Sequence, residues 1–355
     1  MQVAKLKIVC CDYLNEDAVA AALRCSTSLI DLRLELCSKV TGAKCFCPLL
    51  QEECDDGGVG GAGGGVGGAG GAGLLSGSQL TSLSLKENVS FSDEGLGHIV
   101  AHATSLTELS LSKCQRLGSH ALRTINMSGL TRLSLGFLPL LDDSSLKRIA
   151  RSCPLIRHFD MCGSYSVTDV GLKSVAARLG LLLYVGLSFL DKITDAGLEM
   201  LAVGCAQLEA LDLEQTLITD GALEALIQYS PNLKSLNVAF CHNLSEAKIV
   251  ACLQHCRLHT LNVTHCRGIS HQTRFWLMAK SGNWVEGKMI SAADKEKEGG
   301  DCAIVDMEAG TSALQSLGSP SWLLLGSELG GGGGVGGGAS PVGHCSSSPV
   351  KRDHL

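Results

Sequence analysis

The feature that most limits what this chain can fold into is a nine-residue pattern, LxxLxLxxC, that returns at a nearly constant interval. It is clearest as LIDLRLELC at 29–37, LTELSLSKC at 106–114, LKSLNVAFC at 233–241 and LHTLNVTHC at 258–266. Weaker copies start at 3, 80, 130, 156, 182 and 208. Successive starts lie 26, 51, 26, 24, 26, 26, 26, 25 and 25 residues apart. Such a period means that one small unit is repeated, and that each unit buries its apolar face only against its neighbours.

Within each copy, leucines two apart mark a short strand. The chain then continues in a common way, as in KITDAGLEMLAVGC from Lys192 and SVTDVGLKSVAARL from Ser166. The Thr-Asp step supplies a helix N-cap, because a short oxygen side chain accepts the free N–H groups of the first turn. Apolar residues follow at helical spacing, as in Leu198, Leu201 and Ala202. Each unit is therefore strand, turn and helix, and its period falls in the window of about 20–29 residues that characterises leucine-rich repeats. The expected fold is an α/β leucine-rich-repeat solenoid, curved, with a parallel inner sheet and outer helices, comprising about ten repeats over 1–280.

Composition agrees with thin, repetitive layers. Aromatic residues make up 4% of the chain against 45% hydrophobic, so the core must be built from Leu, Ile, Val and Ala. Two segments break the period. A Gly/Ala/Val run at 55–78 is expected to be a flexible loop inserted into the second repeat, whose helix around TGAKCFCPLLQEE looks truncated. Its GVGGAG matches a phosphate-loop pattern only as any glycine run would, with no framing strand and helix and no Lys between Lys44 and Lys86. Residues 281–355, ending in GGGGVGGG and Ser/Pro, read as a disordered Gly/Ser-rich tail.

A net charge of -6 leaves no basic footprint for nucleic acid. No apolar run reaches the ~18 residues of a membrane helix, and the N-terminus lacks a signal-peptide pattern. The 17 cysteines, an odd count in a long chain, are expected to be reduced thiols in cytoplasm or nucleus. The Cys closing the pattern (Cys11, Cys37, Cys114, Cys241 and Cys266) is expected to fill the corner where the chain leaves the sheet, its S–H reaching loop backbone. Asn88, Ser164 and Thr216 stand in the same slot.

LxxLxLxxC, the I/V-T-D turn, the Gly-Leu pair opening the helix and the Cys closing it (Cys153, Cys205) together resemble the cysteine-containing leucine-rich repeats. These are typical of F-box/leucine-rich-repeat proteins and of antagonist-of-mitotic-exit type proteins, and the resemblance covers roughly 3–270. It implies a substrate receptor of an SCF-type cullin–RING ubiquitin ligase, in which an F-box before the repeats grips a Skp-type adaptor. Here the first repeat begins at about Val3, so that contact would come through an F-box upstream of Met1. The alternative is a repeat scaffold or adaptor unrelated to ubiquitin, in a cytoskeletal or ciliary assembly.

Alternate strand residues face opposite sides, so residues flanking the second and third leucines are expected on the concave face, where a protein partner would bind. The partner-facing candidates there are Arg132, His158, Asp160, Tyr184, Asp212, Glu214, Asn237 and Asn262, with Phe137, Phe189, Phe240 and His265 at the rim. Rim aromatics are candidate anchors; the plainer alternative is that the rings tuck under the next loop. The acidic pair Asp212/Glu214 would select a basic segment.

His158 beside Asp160 lacks a neighbouring nucleophile and reads as a partner-facing pair, not as catalytic machinery. Cys252, Cys256 and His255, or Cys241 and Cys266 with His242 and His265, are spaced by the repeat and not by a metal motif. No catalytic activity, cofactor or metal is expected. Cys45, Cys47 and Cys54 flank the glycine run without an evident role. Leu211→Ala is expected to cost stability, whereas Asp212→Ala is expected to alter partner binding only.

Overall fold

The computed structural model describes residues 3–25, 28–47, 79–270, 272, 273 and 277. All lie within one compact unit, Met1–Ser312; the other, Ala313–Leu355, the glycine run and the tail fall outside the described residues. The order is β1 (Lys5–Val9), α1 (Glu16–Cys25), β2 (Asp31–Glu35), β3 (Ser82–Ser84), α2 (Asp93–His102), β4 (Glu108–Ser110) and α3 (Ser119–Thr124). It continues with β5 (Arg132–Ser134), α4 (Asp143–Ser152), β6 (His158–Asp160), α5 (Asp169–Ala176), β7 (Tyr184–Gly186) and α6 (Asp195–Gly204). The last elements are β8 (Ala210–Asp212), α7 (Asp220–Tyr229), β9 (Ser235–Asn237), α8 (Glu246–His255) and β10 (Thr260–Asn262). The ten strands form one open parallel sheet in chain order, which is the leucine-rich-repeat solenoid that the period implies.

Register follows the repeat. The second leucine of each copy pairs with its counterpart in the next, as Leu83 with Leu109, Leu109 with Leu133 and Leu211 with Leu236. These leucines, and those two places on, point inward: Leu109, Leu111, Leu236 and Val238 are all buried. β2 pairs directly with β3, Asp31 opposite Ser82, despite the residues that separate them. Between these strands, Thr41–Cys47 runs as a turn and not as a helix, with Phe46 edge-on to Phe91 at 6.5 Å.

The helices form for local reasons that the repeat supplies. In α6, Gly197, Leu198, Leu201 and Ala202 make one buried stripe, and Asp195 in the first turn suits the positive end of the helix. Thr168 and Thr219 cap α5 and α7 by accepting the N–H of Val170 and Gly221.

The aspartate after the cap acts between repeats. Thr168 donates its N–H and hydroxyl to Asp143 at 2.8 and 2.7 Å, and Thr194 does the same to Asp169 at 2.9 and 2.6 Å. Thr219 N–H reaches Asp195 at 2.8 Å and Ser245 N–H reaches Asp220 at 2.7 Å. At the ends of the described array a glutamate does this work: Gly42 and Lys44 donate to Glu16, and Ser270 donates to Glu246.

This contact explains the Gly-Leu pair. A Cβ on Gly197 would run into the Asp169 carboxylate, and one on Gly171 into that of Asp143. Glycine leaves room for the neighbouring repeat's carboxylate to reach its cap.

Candidate protein-binding face

Corner geometry places the rim. The residue before the Cys slot adopts the left-handed conformation in repeat after repeat: Lys113 (φ 63°), Phe137 (57°), Gly163 (66°), Phe189 (63°), Gln215 (53°), Phe240 (59°) and His265 (57°). For a bulky L-residue this conformation costs roughly 1–2 kcal/mol. The corner N–H groups from Lys113 to Phe240 are tied to the next repeat, as Phe189 to Glu214 O and Phe240 to Thr264 O, both at 2.8 Å.

The Cys slot closes the corner as the sequence suggests. Cys114, Cys241 and Cys266 are buried, and their thiols donate to Leu85 O, Leu213 O and Val238 O at 3.0, 3.1 and 3.0 Å. Asn88 and Ser164 make equivalent bonds to Leu34 O and Leu135 O, whereas Thr216 bonds Leu213 O of its own repeat. Burial pushes the Cys114 thiol up to about 12, so it serves as a neutral donor. Cys11, in the first repeat, is exposed.

The rim aromatics come together in two groups. The Phe137 and Phe189 rings lie 5.9 Å apart although a repeat separates them, because the corner between is Gly163, where a Cβ would strike the Phe137 ring. Lys113 Nζ stands over Phe137 at 5.8 Å, an addition that sequence reading passed over. Phe240 stacks on His265 at 4.5 Å. Phe137 and Phe189 are half-buried, whereas Phe240 and His265 are exposed.

On the sheet face, Arg132 pairs with Glu108 at 3.2 Å, and His158 stacks on Tyr184 at 6.2 Å. Burial, with Arg132 close by, lowers the His158 pKa. One column over, Asp160 accepts the Ser134 hydroxyl at 2.8 Å and the Cys162 N–H at 3.0 Å. Asn237 and Asn262 likewise accept N–H groups of Ala239 and Thr264, two residues on, at 3.1 Å each. Asp212 accepts from Glu214 N–H and from Asn237 Nδ2, at 3.2 and 2.7 Å; Asn237 Nδ2 also reaches Glu214 at 3.2 Å.

These side chains fasten the backbone as it leaves each strand. Asn262 is only 6% exposed. Burial raises the Asp212 pKa, against the pull of Ser188, the Glu214 N–H and Asn237. Gly186 leaves a notch between Asp160 and Asp212 into which the Asp160 carboxylate, Cys162 Sγ and Tyr184 Oη converge. Neither Cys162 nor the glycines at 163 and 186 stood out in the sequence as part of the face. The signal for both glycines was present, as the loss of a side chain from an otherwise filled column.

The register and the repeated strand–helix unit are those of a leucine-rich-repeat solenoid, with a buried Cys in the corner slot of several repeats. Over 182 residues the chain is 27% identical to F-box/LRR-repeat protein 17 of Arabidopsis thaliana, a match covering 44% of this chain and 31% of that protein. It is 28% identical over 186 residues to F-box/LRR-repeat protein 4 of Bos taurus, covering 51% of this chain and 30% of that protein. The likeness thus spans less than a third of either curated relative. Among solved structures, a chain of the crystal structure of the Rad7 and Elc1 complex in yeast shares the fold, with a TM-score of 0.52 at 14% identity. That alignment covers 83% of this chain and 75% of the other. No family model matches. Among the described residues no helix is long and apolar enough to cross a membrane.

Proposed function

We propose that this chain is a protein-binding module that receives a partner on the exposed sheet face and presents it for ubiquitin-dependent degradation as part of an SCF-type ligase. The observation that carries the binding role is the ordered face itself. Its polar side chains are held by their own backbone and by neighbouring repeats, and its rim bears paired aromatics. Pre-organised rings and fixed hydrogen-bonding groups lose little freedom on binding, which favours affinity. The ligase role rests on the likeness to two F-box/LRR-repeat proteins. In this reading the Skp-type adaptor is gripped by an F-box outside the repeats, and the protein works in cytoplasm or nucleus.

The rim and face residues have distinct roles. Phe137, Phe189, Phe240 and His265 supply apolar anchorage. Asp160, Asp212 and Glu214 favour a basic stretch, while Arg132, His158, Tyr184, Asn237 and Asn262 fix its register.

Proximity labelling in cells, followed by capture of the labelled partner with purified chain, tests both halves. Phe189→Ala and Phe240→Ala should each weaken capture about tenfold or more, as for a truncated anchor residue, with the melting temperature little changed. Removing the chain should raise the partner's half-life. Capture that persists in both variants refutes the assigned face. An unchanged half-life with face-dependent capture favours the scaffold reading.

A further inference from the structure

Among the described residues four helices end on a residue whose N–H bonds back to a buried apolar stripe position: Ala103 to Ile99, Cys153 to Ile149, Cys205 to Leu201 and Ser230 to Leu226. In α8 the same bond joins Cys256 to Cys252, so a thiol replaces the aliphatic side chain. The cap differs as well. Cys153, Cys205 and Ser230 have ψ of 66°, 60° and 66°, whereas Cys256 is extended, with φ -92° and ψ 140°. The result is two sulfurs 3.8 Å apart. Other buried thiols, those of Cys114, Cys205 and Cys266, donate to backbone carbonyls of the preceding repeat.

We propose that Cys252 and Cys256 are a modification site: a dithiol that a small peroxide converts reversibly to a disulfide. An S–S bond of about 2.05 Å requires the sulfurs to close by roughly 1.8 Å. Cys256 lies outside the helix at its cap, so rotation of its side chain supplies that movement without unwinding a turn. Cys256 is 5% exposed and Cys252 1%, and the adjoining His255 is exposed. Cys256 is thus the sulfur that a molecule as small as hydrogen peroxide meets first.

The Cys256 thiolate attacks one peroxide oxygen. The O–O bond breaks, hydroxide leaves and Cys256 becomes a sulfenic acid. Cys252 sulfur then attacks the Cys256 sulfur, and its proton leaves with the displaced hydroxyl as water. The hydroxide of the first step takes up the proton lost in forming the thiolate. Two thiols and one peroxide thus yield one disulfide and two waters, and a dithiol reductant reverses the change.

Electrostatics fit this order. The bond from Cys252 lowers the Cys256 thiol against the effect of burial, with His255 contributing in the same direction, and Cys252 is pushed up. Burial raises Cys205 to about 11. Because the thiolate is the nucleophile, Cys256 should react before the other buried thiols.

The folded full-length chain is treated with hydrogen peroxide, quenched, alkylated with iodoacetamide in denaturant and digested with trypsin. Both thiols fall in one peptide, IVACLQHCR at 249–257. The expected product is this peptide without alkyl groups and lighter by two hydrogens, formed before Cys114 or Cys205 loses its label and restored by dithiothreitol. Phenylarsine oxide, which bridges close thiols, should block its formation. In Cys252→Ser, Cys256 should stop at the sulfenic acid and be trapped by dimedone. A doubly alkylated peptide that persists while other buried thiols oxidise overturns the proposal. So does a Cys256 joined to a different peptide.

Discussion

Leu211 and Asp212 are adjacent and face opposite ways. Leu211 is 2% exposed in the column of inward leucines, so Leu211→Ala should cost about 2–5 kcal/mol in urea unfolding. Pattern alone suggested that Asp212→Ala would leave stability alone. The bonds from Glu214 N–H and Asn237 change that expectation: Asp212→Ala should cost about 1–2 kcal/mol, less than Leu211→Ala. Equal costs would place both side chains in the core.

The raised Asp212 pKa sets a pH dependence. A carboxyl whose folded pKa lies above its ordinary value of 3.8 binds more protons folded than unfolded between the two values. Its contribution is fully present below 3.8 and falls as pH rises through the folded value. Relative to Asp212→Asn, the natural chain should therefore gain stability as pH is lowered from 7 toward 4. Parallel unfolding curves at each pH check the sign, and a difference that shrinks on acidification would contradict it.

At the scale of the element, the start of each helix carries information that crosses to its neighbour. Thr-Asp followed by Gly-Leu reads locally as a cap and a first turn; Thr168 and Thr219 cap in that way, whereas Thr194 makes no side-chain cap bond and gives its hydroxyl to Asp169. The aspartate's bond to the next cap was not legible, because a one-dimensional pattern does not show which repeat a carboxylate satisfies. Gly197 and Asp169 make this testable. Gly197→Ala should destabilise the protein, since the new methyl meets the Asp169 carboxylate. In an Asp169→Ala background the same change should be neutral or stabilising by up to about 1 kcal/mol, the ordinary helix preference for alanine. A double-mutant cycle measures this coupling, and additive effects would refute the contact.

Legibility was uneven in a similar way along the strands. Periodicity identified which residues turn inward at Leu109, Leu236 and Val238, because burial follows alternation. It also marked the Cys corner. It did not reveal that Asp160, Asn237 and Asn262 bend back to bond N–H groups two residues on, since such residues look the same whether solvated or engaged. The left-handed corner at Phe137 and Phe189 was equally hidden, as bulky side chains disfavour it and only the stacked backbone imposes it.

For the whole molecule, stability is a chain of nearest-neighbour terms. Strand β2 pairs with β3 in register, so the sheet is continuous across the point where the glycine-rich segment enters the sequence. Deleting 57–73 should therefore leave the melting temperature within about a degree or two by calorimetry, since roughly 1 kcal/mol corresponds to ~2–4 °C in a domain of this size. A drop of many degrees would mean that the segment contributes to packing.

The aspartate that bonds the following cap makes donor and acceptor parts of the same motif. Thr168-Asp169 receives from one side what it offers on the other: Thr168 donates back to Asp143, and Asp169 accepts forward from Thr194. Any unit bearing this motif is therefore an acceptable neighbour for any other. A gene duplication that copies one whole period preserves each junction, while one that copies a fraction of a period leaves a carboxylate facing the wrong partner. Lengthening by unequal crossing-over is thus filtered by chemistry into whole steps of about 26 residues, with a single Thr-Asp step serving as both plug and socket.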